Sequence, residues 1–276
     1  MVPFSANDLD LLAAALVEVA AVEVMPRFGK LTAPQARRKT SAFDIVTDAD
    51  EASEAAITSL LRGHFPGALV IGEEGAGRDP GQIDALGSAD LAFLIDPLDG
   101  TKNFASGLPL FGLMAAAVMR GTIVASAILD PVSETLAQAR CGDGAWMLDR
   151  SGARERMRVA PAVPVSEMDA IAGTNFLPEP LKERVGARLS RLRMSNWFRC
   201  AAHEYRLAAA GHCHVLFYNR LMPWDHAAGW LLHREAGGHG AHFDGSAYAP
   251  NHMAGGLLYA PDRPSWDAVH EALLGG

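Results

Sequence analysis

From Leu91 the chain reads LAFLI, an unbroken apolar run that stops against two carboxylates, Asp96 and Asp99, with Pro97 and Leu98 between them. Such a run predicts a short buried strand. Pro97 fixes its own φ and biases Asp96 toward an extended backbone, and Gly100 lets the chain turn without a Cβ clash. Leu69–Ile71 predicts a second strand that ends at Gly72 and is followed at once by Glu73 and Glu74. On an extended backbone those two side chains point oppositely, so one faces a site and the other solvent. Apolar runs at Leu113–Arg120 and Ile123–Leu129 around Gly121-Thr122 predict a hairpin. Further strands are predicted at Glu134–Ala139, Gly144–Leu148, Ala170–Ala172, Val215–Phe217 and Gly256–Ala260, and Met157–Val159 is expected to pair with a sheet.

The helical periods fall between these runs. Ser5 and Asp8 have capping-box spacing and open an Ala/Leu/Val-rich helix toward Pro26. Thr47 or Asp48 caps a second helix reaching about His64, with Ile57, Leu60 and Leu61 inward. Pro180 opens a basic amphipathic helix to about Arg193, and Ala201–Ala210 is a short helix stopped by Gly211. Trp224-Asp225-His226 begins a helix with Pro223 before it and Gly237-Gly238 after it. Ser265–Leu274 is the last. Gly75 to Ser88, rich in Gly, Pro and Asp, reads as a surface loop. Asp149–Pro164 reads as the boundary between an N-terminal α+β lobe, residues 1–150, and a C-terminal α/β lobe, residues 151–276.

Composition narrows the function classes. With 276 residues and 49% hydrophobic content the chain can bury a substantial core. A formal charge of −8 argues against nucleic acid or an acidic membrane as a partner, because the long-range field repels both. Cys141, Cys200 and Cys213 are odd in number and form no C-x-x-C pair, which favours reduced thiols in a cytoplasmic protein and no zinc cluster. The N-terminus lacks the basic region and cleavage site of a signal peptide, and Asp10, Glu18 and Glu23 interrupt its apolar run, as in an amphipathic helix and not a membrane span.

At the end of the LAFLI strand, Asp96, Asp99 and the Leu98 carbonyl can face one small volume, and oxygen donors at that spacing suit a hard divalent cation. If Gly100 and Thr101 open a helix, its amides offer an anion site beside the cation. A cation beside a phosphate cradle points to phosphoryl chemistry. The plainer reading is a surface turn, which Asp-Pro-Leu-Asp-Gly also fits. Asp44, Asp48 and Asp50 cluster at a helix start, where carboxylates are favourable for structural reasons alone, and Asp225 by itself reads as a helix cap. His226 and His233 are seven apart on one helix, but with no H-x-x-x-H pair a structural role is the better reading.

Four separated stretches resemble the inositol monophosphatase family of magnesium-dependent, lithium-sensitive phosphatases. Gly72-Glu73-Glu74 is similar to its G-E-E element, and Asp96-Pro97-Leu98-Asp99-Gly100-Thr101-Lys102-Asn103-Phe104 to its D-P-[LI]-D-G-T-x-N-F signature. Trp224-Asp225-His226-Ala227-Ala228-Gly229 is similar to W-D-x-A-A-G, and Asp44 to Asp50 to D-[LI]-V-T-x-x-D. The resemblance implies a layered α/β/α/β/α sugar-phosphatase fold, Mg²⁺ as cofactor in two or three ions with Mn²⁺ as a substitute and Li⁺ as an inhibitor, and a homodimer. It implies that Glu73, Asp96 and the Leu98 carbonyl hold one Mg²⁺, that Asp96, Asp99 and Asp225 hold a second, and that Asp50 with Glu73 supports a third. It assigns Thr101 and Asp50 to orienting water, and Asp99, the amides around Gly100 and Thr101, and Lys39 to the phosphate. Where the family has a substrate-contacting glutamate before W-D, this chain has Asn219 or Arg220, and Arg prefers a second anion to a polyol. Glu204 or His203 either contacts substrate or lies on a helix surface, the latter being expected. The implied reaction is hydrolysis of a small phosphorylated substrate, inositol monophosphate first. Histidinol phosphate, a sugar phosphate or a 3′-phosphonucleotide are alternatives, and a cation-regulated binding protein or a glycosidase dyad are readings of a different class.

Overall fold

The computed structural model describes residues 4–30, 36–38 and 45–275, so Lys39 and Asp44 lie outside the described residues. Helix α1 (Ala6–Val19) starts where expected, with the Ser5 hydroxyl accepting from the Asp8 amide and the Asp8 carboxylate accepting from the Ser5 amide, and continues into a π-helical turn at Ala20–Val24. Strands β1 (Ala36–Arg38) and β2 (Ile45–Thr47) pair antiparallel. Thr47 then caps α2 (Asp48–His64), with Asp50 closing the capping box from the third helical position. After β3 (Leu69–Gly72) comes a short helix, α3 (Glu73–Arg78), and a 3₁₀ segment at Pro80–Gly87. The surface loop expected there is therefore helical, and Glu73 and Glu74 stand in a first helical turn and not on extended backbone.

Strand β4 (Ala92–Asp99) leads through Gly100 into α4 (Thr101–Ala105). An antiparallel meander follows: β5 (Gly112–Met119), β6 (Thr122–Asp130), β7 (Thr135–Arg140), β8 (Gly144–Leu148) and β9 (Arg154–Arg156). The pairing expected at Met157–Val159 falls just ahead of it, on β9, although the Met157 amide still donates to the Ala145 carbonyl. The second half runs β10 (Asp169–Ala172), α5 (Leu181–Arg188), β11 (Met194–Asn196), α6 (Ala201–Ala209), β12 (Val215–Tyr218), α7 (Pro223–Glu235), β13 (His239–His242), β14 (Leu257–Ala260) and α8 (Arg263–Leu274). The basic helix expected to reach Arg193 stops at Arg188, passes through a 3₁₀ turn at Leu189–Arg191 and gives way to β11.

Among the described residues the strands make a sheet of seven, ordered β3-β4-β5-β6-β7-β8-β9, and a sheet of five, ordered β11-β10-β12-β14-β13, besides the β1–β2 pair. Alternation along each strand assigns the layers. Phe93, Ile95, Leu113, Ala115 and Ala117 pack with Leu12 and Leu16 of α1 and Ile57 and Leu61 of α2. Their neighbours Leu94, Met114, Ala116 and Val118 face the other way, joining Tyr205 of α6, Leu231 of α7 and then Ile171, Leu216 and Tyr259 of the five-stranded sheet. The far face of that sheet, with Val215, Phe217 and Leu258, packs on Val185 of α5 and Val269 of α8. The order is helices, sheet, helices, sheet, helices, the α/β/α/β/α arrangement expected. A one-residue slip in β4 or β5 would exchange these faces, and each fully buried Leu, Ile or Phe is worth roughly 1.5–3 kcal/mol, so register is strongly held. The central helix pair touches closely because Gly229 of α7 lies against the Tyr205 ring, 2.0 Å from where a Cβ would stand.

Candidate active site

Strand β4 is paired parallel to β3 on one side, with Gly72 opposite Ile95, and antiparallel to β5 on the other, with its register slipping between Asp96 and Asp99. The slip breaks the alternation that would send neighbouring residues to opposite faces. Asp96, the Leu98 carbonyl side and Asp99 thus line one cleft. The β3 pairing sets Glu73, the first residue of α3, beside this strand end, and it lines the same cleft. Gly100 turns the chain at φ 86°, and a Cβ there would stand 2.8 Å from the Leu110 carbonyl, so the turn needs glycine. From the other sheet, α7 brings Asp225 to the cleft; the cap position is Met222, so Asp225 sits inside the first turn and is not the cap. The cavity has a volume of about 660 Å³, and Gly100, Thr101, Asn219 and Arg220 also face it.

The carboxylates are electrostatically crowded. Burial, followed by the charges of Glu73, Asp99 and Asp225, holds the Asp96 carboxyl well above the usual range. Asp99 is pushed up to about 6 by burial, although the Ala202 amide at 2.5 Å and the Cys200 thiol at 3.1 Å donate to its Oδ2. Asp50, 2% exposed, is likewise raised to about 6 by burial, against hydrogen bonds from Thr47 and Thr101. Glu204, also 2% exposed, is raised to about 7 by burial and then by the charge of Asp99. For these acids the folded state binds the proton more tightly than the unfolded chain does. The stability they contribute is present below the unfolded value near 4 and is lost as pH rises through 6 to 7. Protein held in chelator should therefore melt several degrees lower at pH 8 than at pH 5, and saturating divalent cation should flatten or reverse the trend. Thermal melts across that range check it.

Thr101 and Asp50 form a second part of the site. The Thr101 hydroxyl lies 2.8 Å from Asp50 Oδ1 and 3.0 Å from the Leu98 carbonyl oxygen. An ionised Asp50 and the carbonyl can only accept, so the Thr101 hydrogen points at them and its lone pairs remain for the cleft. The other oxygen of Asp50 accepts from the Thr47 amide at 2.8 Å and the Thr47 hydroxyl at 2.5 Å. Asp50 thus sits behind Thr101 and is not itself on the cleft wall.

Two features escape the sequence reading, the role of Glu54 and the inward placement of Glu204 and His203, while His226 takes the structural role expected of it. Glu54 of α2 accepts the Glu74 and Gly75 amides at 2.7 Å each, which seats the first turn of α3 and with it Glu73. Its spacing on an amphipathic helix gave no sign of this role. Glu204 and His203, expected on a helix surface, are inward: Glu204 lines the cleft and accepts from the Phe198 amide at 3.1 Å, and His203 Nε2 lies 3.1 Å from the Phe111 carbonyl. His226 proves structural. The Arg220 carbonyl accepts from its Nε2 at 2.9 Å, and its Nδ1 lies 2.9 Å from the Tyr205 hydroxyl, which is also hydrogen-bonded to the Tyr259 hydroxyl.

A donor set of Glu73, Asp96, Asp99, Asp225 and one backbone carbonyl is all oxygen and strongly anionic, which fits hard divalent cations and does not fit soft ones. A buried Asp96 beside the like charges of Glu73, Asp99 and Asp225 suits a cation as counter-charge. Among the described residues no three acidic, histidine or cysteine side chains form a ready-made cage for an ion.

Comparison with known proteins gives a consistent result. The profile of the inositol monophosphatase family matches residues 7–274. The chloroplastic phosphatase IMPL1 of Arabidopsis thaliana is 32% identical over 222 residues, which are 75% of this chain and 55% of that protein's length. The inositol-1-monophosphatase of Mycobacterium bovis is 31% identical over 207 residues, 73% of this chain and 69% of its own. Among solved structures, the extragenic suppressor protein suhB of Bartonella henselae has a TM-score of 0.83 at 26% identity, over 98% of this chain and 100% of that one.

Proposed function

The chain belongs to the inositol monophosphatase family and is a phosphoric monoester hydrolase, and from that premise we propose that it cleaves a small phosphate monoester in the β4–α7 cleft with the help of Mg²⁺. The observation that carries this is a buried Asp96 whose pKa is raised by that burial and by the like charges of Glu73, Asp99 and Asp225, all four on the wall of one cavity. These four and the Leu98 carbonyl would hold the cations, which supply charge neutralisation at the phosphoryl oxygens and at the departing alkoxide. The chain's own part is orientation. Thr101, its hydrogen committed to Asp50 or to Leu98, presents lone pairs that accept a hydrogen bond from the attacking water. Asp50, anchored by Thr47, fixes that hydroxyl and is placed to take up proton density from it. Glu73, seated by Glu54, shares the task of orienting water from the start of α3. Gly100 and Thr101 line the same cleft, and the amides around them would receive phosphate oxygens; Asp99 would bind there through the cation.

Inositol monophosphate is the first substrate to test, because the family and the Mycobacterium bovis relative carry that name. Arg220 on the opposite wall favours a second reading, a substrate with another anionic group. The same proposal takes the protein as a homodimer in the cytoplasm. The described cysteines are free thiols, and no helix among the described residues is long and apolar enough to cross a membrane. Phosphate release from a panel of phosphomonoesters, with Mg²⁺ and with chelator, tests the central reading; release that persists undiminished in chelator would overturn it. A finer expectation concerns Glu54. Glu54→Ala leaves the Glu74 and Gly75 amides without their acceptor and should destabilise the fold by about 1–3 kcal/mol. By loosening Glu73 it should weaken Mg²⁺ binding roughly 10- to 100-fold, read by calorimetric titration.

A further inference from the structure

The loop that enters α6 is fastened to the end of β4. Phe198 is held from both sides: its carbonyl accepts from Asn103 Nδ2 at 2.8 Å, and its amide donates to Glu204 Oε1 at 3.1 Å. The second hydrogen of the Asn103 amide goes to the Leu110 carbonyl, also at 2.8 Å, so one fully buried side chain joins α4, the approach to β5 and this loop. Both of those partners can only accept, which fixes the orientation of the Asn103 amide. Arg199 comes next and holds φ 59°, a conformation that a non-glycine residue keeps only where its surroundings over-determine it. Cys200 and Ala202 then bring a thiol and an amide to one oxygen, Asp99 Oδ2, at 3.1 and 2.5 Å. Two glycines allow the approach. A Cβ on Gly100 would stand 3.2 Å from the Cys200 Sγ, and one on Gly112, the β5 partner of Asp99, 2.7 Å from the Ala202 Cβ.

Resting on the hydrolase reading, we propose that Asn103 and Glu204 are positioning residues for Asp99, a clamp that acts through the Phe198 peptide groups to hold the Cys200 and Ala202 donors against Asp99 Oδ2. A carboxylate on a free side chain samples several rotamers. With Oδ2 engaged twice by α6, Asp99 is left one orientation in which to meet a cation. Fixing a ligand from behind in this way is worth about 10- to 100-fold in metal affinity. The device is reciprocal: by whatever factor the closed clamp raises cation affinity, bound cation favours the closed clamp by the same factor. The Cys200 thiol reports on that state, because at 2% exposure it reacts only when the loop opens.

Two readouts on the full chain test this, calorimetric titration with Mg²⁺ and the rate at which a small maleimide labels Cys200, followed by peptide mass. Asn103→Ala and Glu204→Ala should each weaken Mg²⁺ binding about 10- to 100-fold and speed metal-free labelling by a similar factor, with kcat at saturating Mg²⁺ lowered no more than severalfold. In the parent, saturating Mg²⁺ should slow labelling by about the factor that the alanine variants lose in affinity. Glu204→Gln keeps an oxygen for the Phe198 amide and should bind Mg²⁺ nearly as tightly as the parent; a loss as large as that of alanine would mean that Glu204 acts by charge, and would overturn its part in the clamp. Asp130→Asn is the control for general loosening, since Asp130 holds the same helix through Arg206 at 3.1 Å and caps the turn after β6 through the Val132 amide. It should lower the melting temperature and leave Mg²⁺ affinity unmoved. Should an alanine variant not fold, Cys200→Ala against Cys200→Ser makes the comparison one bond nearer Asp99: alanine should lose affinity severalfold, serine, still a donor, should not, and equal affinities would overturn the clamp. Affinity lost equally in Asp130→Asn, or kept in both Asn103→Ala and Glu204→Ala, overturns the clamp and leaves Mg²⁺-dependent hydrolysis standing. A parent protein that binds no Mg²⁺ overturns the hydrolase reading and the clamp with it.

Discussion

Asp96→Asn is expected to lower Mg²⁺-dependent phosphate release by roughly a thousandfold, while the metal-free protein melts no lower than the parent at pH 7.5. The first part follows from its surroundings: Asp96 feels the charge of each of the other three carboxylates, so its loss removes a donor from the set that would hold the cations. Several kcal/mol of charge stabilisation at the transition state, at 1.36 kcal/mol per tenfold, gives that magnitude. The second part is the discriminating one. An asparagine keeps the size of the side chain, and its Oδ1 can still accept from the Leu98 amide, which lies 3.0 Å from Asp96 Oδ1. It also removes from a buried position a group whose ionised form is disfavoured by burial and by like charge. A structural aspartate with no cation to bind would show the reverse, activity retained or the fold lost.

Thr101→Val should lower kcat by about 10²- to 10⁴-fold and leave the Mg²⁺-induced rise in melting temperature intact. Valine matches threonine in shape but has no oxygen to receive the hydrogen bond of a water, and it leaves Asp50 Oδ1 short of a donor at a cost of about 1–3 kcal/mol. Thr101→Ser should recover much of the rate, because the hydroxyl can still reach Asp50. If Thr101 merely started α4, valine and serine would differ little in rate. Kinetics and Mg²⁺ melts on the same two variants separate these outcomes.

Much of the site was legible because its chemistry is local in sequence. The apolar run ending in Asp96 and Asp99, with Gly100 to turn the chain, is a strand and its exit, and periodicity reads that directly. The Ser5 and Thr47 caps were readable for the same reason, since side-chain-to-backbone bonds span three residues. What escaped depends on contacts distant in sequence. The short helix at Glu73 follows a glycine, contains two more, and is held by Glu54 from another helix, so no local propensity announces it. Strand β11 has three exposed residues, Met194, Ser195 and Asn196, and exists only because β10 offers a parallel edge. Strand β13, His239–His242, is equally without a β signal and is held by antiparallel pairing to β14. Glu204 looked like a surface residue because charge normally means exposure; it is buried because α6 lies between two sheets.

The account stands on one arrangement, acidic side chains from β3–α3, β4 and α7 meeting around divalent cations where the ester is cut. Diffraction from crystals of the full chain soaked in Mn²⁺, with the anomalous signal recorded, tests it most directly. The account predicts peaks within the cleft at about 2.0–2.3 Å from carboxylate oxygens of Glu73, Asp96, Asp99 and Asp225. Strong peaks elsewhere on the protein, with none between those four carboxylates, would contradict it.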